Sequence, residues 1–288
     1  MSTPDIFINK FENKVKQTIK KYKLLNKKDK ILVALSGGKD STSVLYLLKK
    51  FGYNISALHI DLGLGAYSER CLEKIREFCK SQEIKLHVVD IKKIFGMRMC
   101  NLRCGVQEKQ KLSNCMVCGI VKKWILNREA RKLRADKIIT GHNLDDEAQT
   151  VIMNFLQGNL LLGMNSGPAT GSLKDKKFVA RIKPLFFIAE NDIRKYSKMR
   201  KLPVVYEKCP CAVSSLRIRT RAFLQDMDEK IKMKIVNNFL KMLPKLRKKF
   251  SDYNSKIFYC QICGEPSRNE ICKKCQLLRL KIGKREKI

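Results

Sequence analysis

From residue 31 onward, short apolar runs alternate with longer stretches whose apolar positions recur every three or four residues. The runs Ile31–Leu35, Ser56–Asp61, Lys85–Asp90 and Lys137–Thr140 read as strands, and the stretches near 41–51, 68–81, 115–134 and 143–157 as helices. Nearly continuous apolar strands separated by helices predict a parallel sheet covered on both faces, hence an α/β protein. A strand over Phe178–Ile182, a helix near 190–200 and a strand over Pro203–Tyr206 complete that unit. Ahead of it, Phe7, Phe11, Val15, Ile19 and Tyr22 line one face of an opening helix and leave Lys16, Lys20, Lys21 and Lys23 to solvent. The stretch 158–177, rich in Gly, Ser, Asn and Lys, predicts a mobile loop. A long basic helical region follows to about 249, interrupted at Pro244. The chain therefore divides into a basic N-terminal helix (1–30), a main domain (31–222), a basic helical region (223–255) and a cysteine-bearing tail (256–288).

Composition narrows the class. The 288 residues, 44% of them hydrophobic, exclude global disorder. Sixty-one Lys and Arg against 27 Asp and Glu give a net charge of +34, which points to a polyanion as partner, nucleic acid or an anionic surface. No apolar run approaches the ~18 residues that span a bilayer, and the first ten residues lack a signal-peptide core, so a soluble cytoplasmic protein with no membrane partner is expected. Eight of twelve cysteines form close pairs, Cys100/Cys104, Cys115/Cys118, Cys260/Cys263 and Cys272/Cys275, and Cys209/Cys211 are separated by one proline. In a reducing compartment, such pairs mean metal ligation or redox chemistry.

The most specific motif is Ser36-Gly37-Gly38-Lys39-Asp40-Ser41, between the strand Ile31–Leu35 and a helix opening at Thr42. Backbone N–H groups freed by glycine, at a helix N-terminus, make an anion site. It is not a Walker A loop, which needs Gly where Val33 stands and Ser or Thr where Asp40 stands. Thr140-Gly141-His142-Asn143-Leu144-Asp145-Asp146-Glu147 likewise ends a strand and opens a helix. Its paired aspartates suit either helix capping or Mg²⁺, and His142 is better read as support than as a base. SGGKDS resembles the PP-loop of the ATP-pyrophosphatase superfamily, enzymes that cut ATP between the α and β phosphates. That resemblance implies an adenine nucleotide alpha hydrolase-like fold. ATP would lie among Ala34, Ser36, Gly37, Gly38, Lys39, Asp40, Ser41, Thr42, His59, Asp61, Thr140 and Gly141, with Asp40 and Asp145 placing Mg²⁺ or orienting the reactants.

Cys115-Met116-Val117-Cys118, taken alone, allows a thioredoxin-like redox pair, half a zinc site or an iron–sulfur site. The series SGGKDS, then CxxCG with Lys122 four residues after Cys118, then GHNxDDEAQT, then Cys209-Pro210, resembles the tRNA 2-thiolation enzymes of the NcsA/TtuA type, from about Ile31 to Arg221. The resemblance implies a [4Fe–4S] cluster on Cys115, Cys118 and Cys209, and makes Lys122 a catalytic candidate. Cys211 stands where relatives carry an aromatic residue and competes with Cys209 as a ligand. Cys100 and Cys104 are expected to be simple thiols, and Cys71 and Cys79 packing residues.

Cys260-x2-Cys263-x8-Cys272-x2-Cys275 has the spacing of a closed four-thiolate Zn²⁺ site, in a tail too short to fold on its own core. Relatives usually carry a second ribbon at the N-terminus, whereas the first 30 residues here contain no cysteine. Basic residues gather at Lys241, Lys245, Arg247, Lys248 and Lys249, at Arg279, Lys281, Lys284, Arg285 and Lys287, and at Arg217, Arg219 and Arg221, suited to phosphate contacts. The expected activity is ATP- and Mg²⁺-dependent tRNA 2-thiolation, foremost at wobble uridine 34, then at uridine 54 or cytidine 32. The expected sulfur donor is free sulfide or a ubiquitin-like thiocarboxylate carrier, and the expected state a homodimer. A zinc-containing RNA-binding protein without catalysis is the alternative, and it leaves Ser36–Ser41 idle.

Overall fold

Five parallel strands in a computed structural model carry the site at their carboxyl ends. Residues 3–107, 112–170, 175, 177–207, 209–211, 216–250 and 257–278 are described. Among them the main sheet comprises β1 (Ile31–Ala34), β2 (Ile55–Asp61), β3 (Leu86–Asp90), β4 (Lys137–Ile139), β5 (Ala169–Thr170) and β6 (Ala180–Ile182), in the order β3-β2-β1-β4-β6-β5. All pairings are parallel except that of β5 with β6. The chain steps outward from β1 to β3 and then returns to lay β4 on the other side of β1. Such a reversal opens a crevice beyond the carboxyl ends of the two central strands, where open α/β sheets bind ligands.

The helices are α1 (Thr3–Lys21), α2 (Lys39–Lys50), α3 (Ala66–Ser81), α4 (Ile91–Phe95), α5 (Met99–Gln107), α6 (Asn114–Lys132), α7 (Leu144–Leu156), α8 (Leu160–Gly163), α9 (Glu190–Met199), α10 (Leu216–Gln225), α11 (Glu229–Lys249) and α12 (Lys273–Leu277). Ile31 and Val33 of β1 share one core cluster with Val44, Leu45, Leu47 and Leu48 of α2 and with Phe11, Val15 and Ile19 of α1. Phe11 stacks on Tyr196 of α9 with ring centroids 4.2 Å apart. Beside that stack, buried Glu12 accepts from Tyr196 Oη at 2.9 Å, Lys50 Nζ at 2.7 Å and Arg200 Nη2 at 2.9 Å. Burying that carboxylate costs little because all three partners arrive together. No described helix is long and apolar enough to cross a membrane.

Three expectations are corrected. Pro203–Tyr206 joins no sheet: Pro203 lacks a ladder donor, both flanks of β1, β4 and β6 are taken, and Val205 N instead donates to Gly37 O at 2.9 Å. Pro244 does not interrupt α11, which runs through it. Val236 packs in one cluster with Leu144, Ala148 and Phe186, and Phe239 and Leu243 are also buried, so packing outweighs one missing backbone bond. The stretch 158–177 is not a plain loop, since it holds α8 and β5; residues 171–174 and 176 lie outside the described residues, as do Arg279, Lys281, Lys284, Arg285 and Lys287 of the basic tail.

β7 (Phe258–Tyr259), β8 (Pro266–Ser267) and α12 form a small C-terminal unit seated on α6. Leu277 packs with Val117, Val121, Trp124 and Ile125. The buried Lys274 ammonium lies 4.2 Å from the Trp124 ring centroid. Glu265 accepts from Asn127 Nδ2 at 3.1 Å and pairs with Arg131.

Candidate active site and cysteine centres

The phosphate turn follows β1 directly. Gly37 takes a left-handed φ of +84°, which a side chain resists, and a Cβ there would also press to 3.3 Å from Cys71 Cβ on α3. Gly38 is the N-cap of α2. Ser41 Oγ donates to Gly38 O at 3.1 Å and accepts from Ser36 N at 3.1 Å, so the turn is braced by its own hydroxyl. Ala34 ends β1, and Thr42 is buried in the first turn of α2. The backbone amides at the start of α2 make an anion seat reinforced by the helix dipole.

The turn after β4 closes on the turn after β1. A Cβ on Gly141 would lie 2.8 Å from both Asp40 C and Ser41 N, so only glycine lets these backbones meet. Asn143 caps α7 through a capping box with Asp146 and donates through Nδ2 to Asp40 Oδ1 at 3.0 Å. Lys39 Nζ lies 2.7 Å from Glu190 and 3.1 Å from Asp40 Oδ2, and Arg221 adds a second cation to Glu190 at 2.6 Å. Burial pushes the Asp40 carboxyl up against the pull of Lys39. Burial also strips water from Lys39, yet Asp40 and Glu190 hold its pKa above the ordinary lysine value. Asp145 is fully engaged: Oδ2 accepts from Glu190 N at 2.7 Å and Oδ1 pairs with Lys232 at 2.8 Å, so it ties α9 and α11 to α7.

His59 and Asp61 stand at the end of β2. Buried His59 donates through Nδ1 to Leu35 O at 2.9 Å, which leaves Nε2 an acceptor with no partner among the described residues. Burial lowers its pKa, and Lys122 is among the cations that lower it further. Asp61 Oδ1 accepts from Gly63 N at 2.9 Å. Buried Thr140 offers Oγ1 to His142 Nδ1 at 2.8 Å. His142 presents surface to the cleft, yet the crowding protein around it and then Lys183, Arg217, Lys123 and Arg181 push its pKa down to about 3. A histidine so held stays neutral and accepts no proton at working pH. Together these cations form a positive rim beside the phosphate turn, with Lys183 paired to Glu147 at 2.5 Å.

Cys115 and Cys118 occupy the first turn of α6, whose N-cap Ser113 accepts from Met116 N. Burial pushes the Cys118 thiol up; Lys122 and Arg103 pull it down, and Cys209 and Cys115 push it up again. Cys209 also bears on Tyr67 and on Cys71, the residue against Gly37. Thus the charges of Cys115, Cys209 and Lys122 all bear on Cys118. Cys209 is brought there by the 203–206 segment, fastened to Gly37 through Val205. Cys211 Sγ lies 4.0 Å from Cys100 Sγ and accepts from Arg103 at 2.7 Å, while Cys104 is exposed. Cys71 and Cys79 are buried in the packing.

Cys260, Cys263, Cys272 and Cys275 are the one group among the described residues whose ligand atoms all lie within 4.8 Å of each other, and they fit a metal site. Gly264, at φ +70°, turns the first knuckle and donates to Cys260 O at 2.8 Å. Hydrogen bonds from Cys272 and Cys275 hold the Cys263 thiol far below its ordinary range, and contact with Cys263 pushes Cys272 up to about 12. Four sulfurs this close cannot all be thiolates without a cation, which is the chemistry of a closed tetrahedral site. Cys115, Cys118 and Cys209 do not meet that 4.8 Å criterion.

Sequence reasoning passed over Asn143, Glu190 and Arg103. The Asn-x-x-Asp capping spacing could have marked Asn143. Glu190 meets Lys39 across 151 positions and Arg103 meets Cys211 across 108, so neither leaves a local signal.

Residues 8–225 match the family described as PP-loop domain. A tRNA-5-methyluridine(54) 2-sulfurtransferase of Pyrococcus horikoshii is 38% identical over 279 residues, covering 94% of this chain and 85% of the relative. Cytoplasmic tRNA 2-thiolation protein 1 of Drosophila mojavensis is 32% identical over 298 residues, covering 98% and 85%. Among solved structures, the U34-tRNA thiolase NcsA from Methanococcus maripaludis with its [4Fe–4S] cluster superimposes with a TM-score of 0.79 at 28% identity, covering 96% of this chain and 88% of that one.

Proposed function

The chain belongs to the PP-loop domain family, and on that footing we propose that it is an ATP-dependent tRNA 2-sulfurtransferase that makes 2-thiouridine at wobble position 34. The observation that carries this reading is the phosphate turn, where Gly37 and Gly38 open α2 and Gly141 packs its backbone onto Asp40 and Ser41; the charges of Lys122, Cys209 and Cys115 that bear on Cys118 support it. In the first step O2 of the base attacks the α-phosphate of ATP, forming an adenylated base and releasing pyrophosphate. The amides opening α2 receive phosphate oxygens, and Lys39 exchanges Glu190 for phosphate to neutralise the developing charge. Asp40 serves Mg²⁺; Asp145, spent on Lys232 and Glu190 N, orients α9 instead. In the second step hydrosulfide adds at C2 and AMP departs with the former O2. Cys115, Cys118 and Cys209 would hold a [4Fe–4S] cluster, which when bound would supply the sulfur as hydrosulfide. Lys122, whose charge bears on both Cys118 and His59, stabilises charge at the carbon under attack.

Lys123, Arg181, Lys183 and Arg217 suit the RNA backbone, and the target base must leave its stack to reach the crevice. Zn²⁺ fits the four-cysteine knuckle as a structural ion. We assign free sulfide or a ubiquitin-like thiocarboxylate carrier as donor, a homodimer as the working state, and the cytoplasm as the place, the last in line with the relative so named. Uridine 54 is the second reading, favoured by the 38% identical relative whose name carries that position.

Anaerobic reconstitution of wild type and of Cys115→Ala, Cys118→Ala and Cys209→Ala tests the proposal. Each variant is expected to lose iron and thiolation, and full activity in an iron-free sample sinks it. Mass analysis of thiolated tRNA fragments separates position 34 from position 54.

A further inference from the structure

Two thiols that this reaction leaves unused face each other beside the proposed ligands. Cys100, in the first turn of α5, has its Sγ 4.0 Å from that of Cys211. Arg103, itself buried, donates through Nη2 to both sulfurs, at 3.2 Å to Cys100 and 2.7 Å to Cys211. Asn114 Nδ2 donates to Cys211 O at 3.2 Å, which holds the Cys-Pro-Cys segment by its backbone as well. Both thiols are half-buried, so small solutes reach them without the fold opening. A guanidinium aimed at both sulfurs opposes a metal cation between them and leaves sulfur–sulfur chemistry. A disulfide requires ~2.05 Å between sulfurs, a distance that side-chain rotation can supply from van der Waals contact.

We propose that Cys100 and Cys211 are a reversible oxidation site, in which exchange with a small disulfide such as glutathione disulfide closes a bond that ties α5 to the segment bearing Cys209. One protein thiol attacks glutathione disulfide, forming a mixed disulfide and releasing one glutathione. The second attacks the protein sulfur of that mixed disulfide and releases the other glutathione. Two protein thiols are oxidised, one glutathione disulfide is reduced, and the two protons lost by the protein end on the two glutathiones. Closing the bond draws Cys211 toward α5, and Cys209, two residues away, moves with it relative to Cys115 and Cys118. That consequence rests on the sulfurtransferase reading; the bond itself does not.

The test uses full-length protein, anaerobically reconstituted and equilibrated across a series of reduced-to-oxidised glutathione ratios, then alkylated, digested and weighed. A peptide pair joining Cys100 to Cys211, lighter by two hydrogens, is expected to accumulate as the buffer becomes oxidising and to vanish with dithiothreitol. Thiolation should be lost and regained in parallel in wild type. Cys100→Ser should match wild type in iron content and thiolation rate in reducing buffer, and keep that rate in oxidising buffer. Bonds only between Cys115 and Cys118, Cys209 and Cys211, or Cys100 and Cys104, or glutathione adducts alone, overturn the proposal. The 100–211 bond with an unchanged thiolation rate upholds the site and overturns its effect on Cys209. A sample that closes the bond but never thiolates sinks the sulfurtransferase reading and leaves the oxidation site standing.

Discussion

The knuckle at 260–275 and the thiols at the phosphate turn use the same side chain under opposite constraints. The knuckle takes all four sulfurs from one short stretch, turns each pair tightly, and buries three of the four cysteines. The other set takes two sulfurs from the first turn of α6 and a third from a distant segment, with Cys115 exposed and Cys118 and Cys209 half-buried. A closed set satisfies its ion and offers nothing to a substrate. An open set depends on the whole fold to be assembled, and for that reason it can be placed where chemistry is wanted. The two are also joined: the knuckle rests on α6 through Leu277, Lys274 and Glu265, so it steadies the helix that carries Cys115 and Cys118, two of the other set's three thiols.

Several substitutions separate the two constraints. Cys275→Ser, at a fully buried ligand, should release the metal and unfold the tail, since structural Zn²⁺ supplies ~10–16 kcal/mol to small folds. Metal analysis and hydrogen exchange over 257–278 would read this. Cys118→Ser should abolish thiolation and leave the melting temperature close to wild type; an equally large melting shift in both variants would erase the contrast between them. Gly141→Ala forces a Cβ into the backbone of Asp40 and Ser41, at a cost of about 1–3 kcal/mol, and should weaken ATP binding by calorimetry without loss of either metal.

Local spacing made the knuckle and the strand–SGGKDS–helix turn legible, because their geometry is written within a few residues. The sheet was legible for a related reason: its central strands are apolar on both faces. The company each thiol keeps was not, since Cys100 on α5 and Cys211 in a turn meet across 111 positions. The same limit explains Pro203–Tyr206, which has the composition of a strand but bonds to the phosphate turn at Gly37 instead of a sheet, and α11, where packing against α7 overrides Pro244.

Changes away from both cysteine groups set the scale for these effects. Glu12 stands on the buried face of α1, and its carboxyl is subject to burial, which raises it, and to hydrogen bonds from Lys50, Arg200 and Tyr196, which outweigh burial and bring it below the ordinary 4.5. A lowered carboxyl contributes stability above its unfolded value and loses it as pH falls through the folded one. Glu12→Gln should therefore cost about 1–3 kcal/mol at neutral pH, and chemical denaturation curves of variant and wild type should converge as pH drops below 4.5. The smallest effect is expected at His142, held neutral with a pKa of about 3. The profile of thiolation rate against pH should keep its shape in His142→Asn, with no inflection near the usual histidine value of ~6.5 lost from it.

One hydrogen bond, from Val205 N to Gly37 O, joins the segment leading to Cys209 to the turn that would grip phosphate. Any motion of that turn as nucleotide enters bears on the segment that leads, four positions on, to a sulfur. Fuel and sulfur thus hang on the same lever, and a chain whose pocket stands empty need not hold its third thiol as it does when loaded.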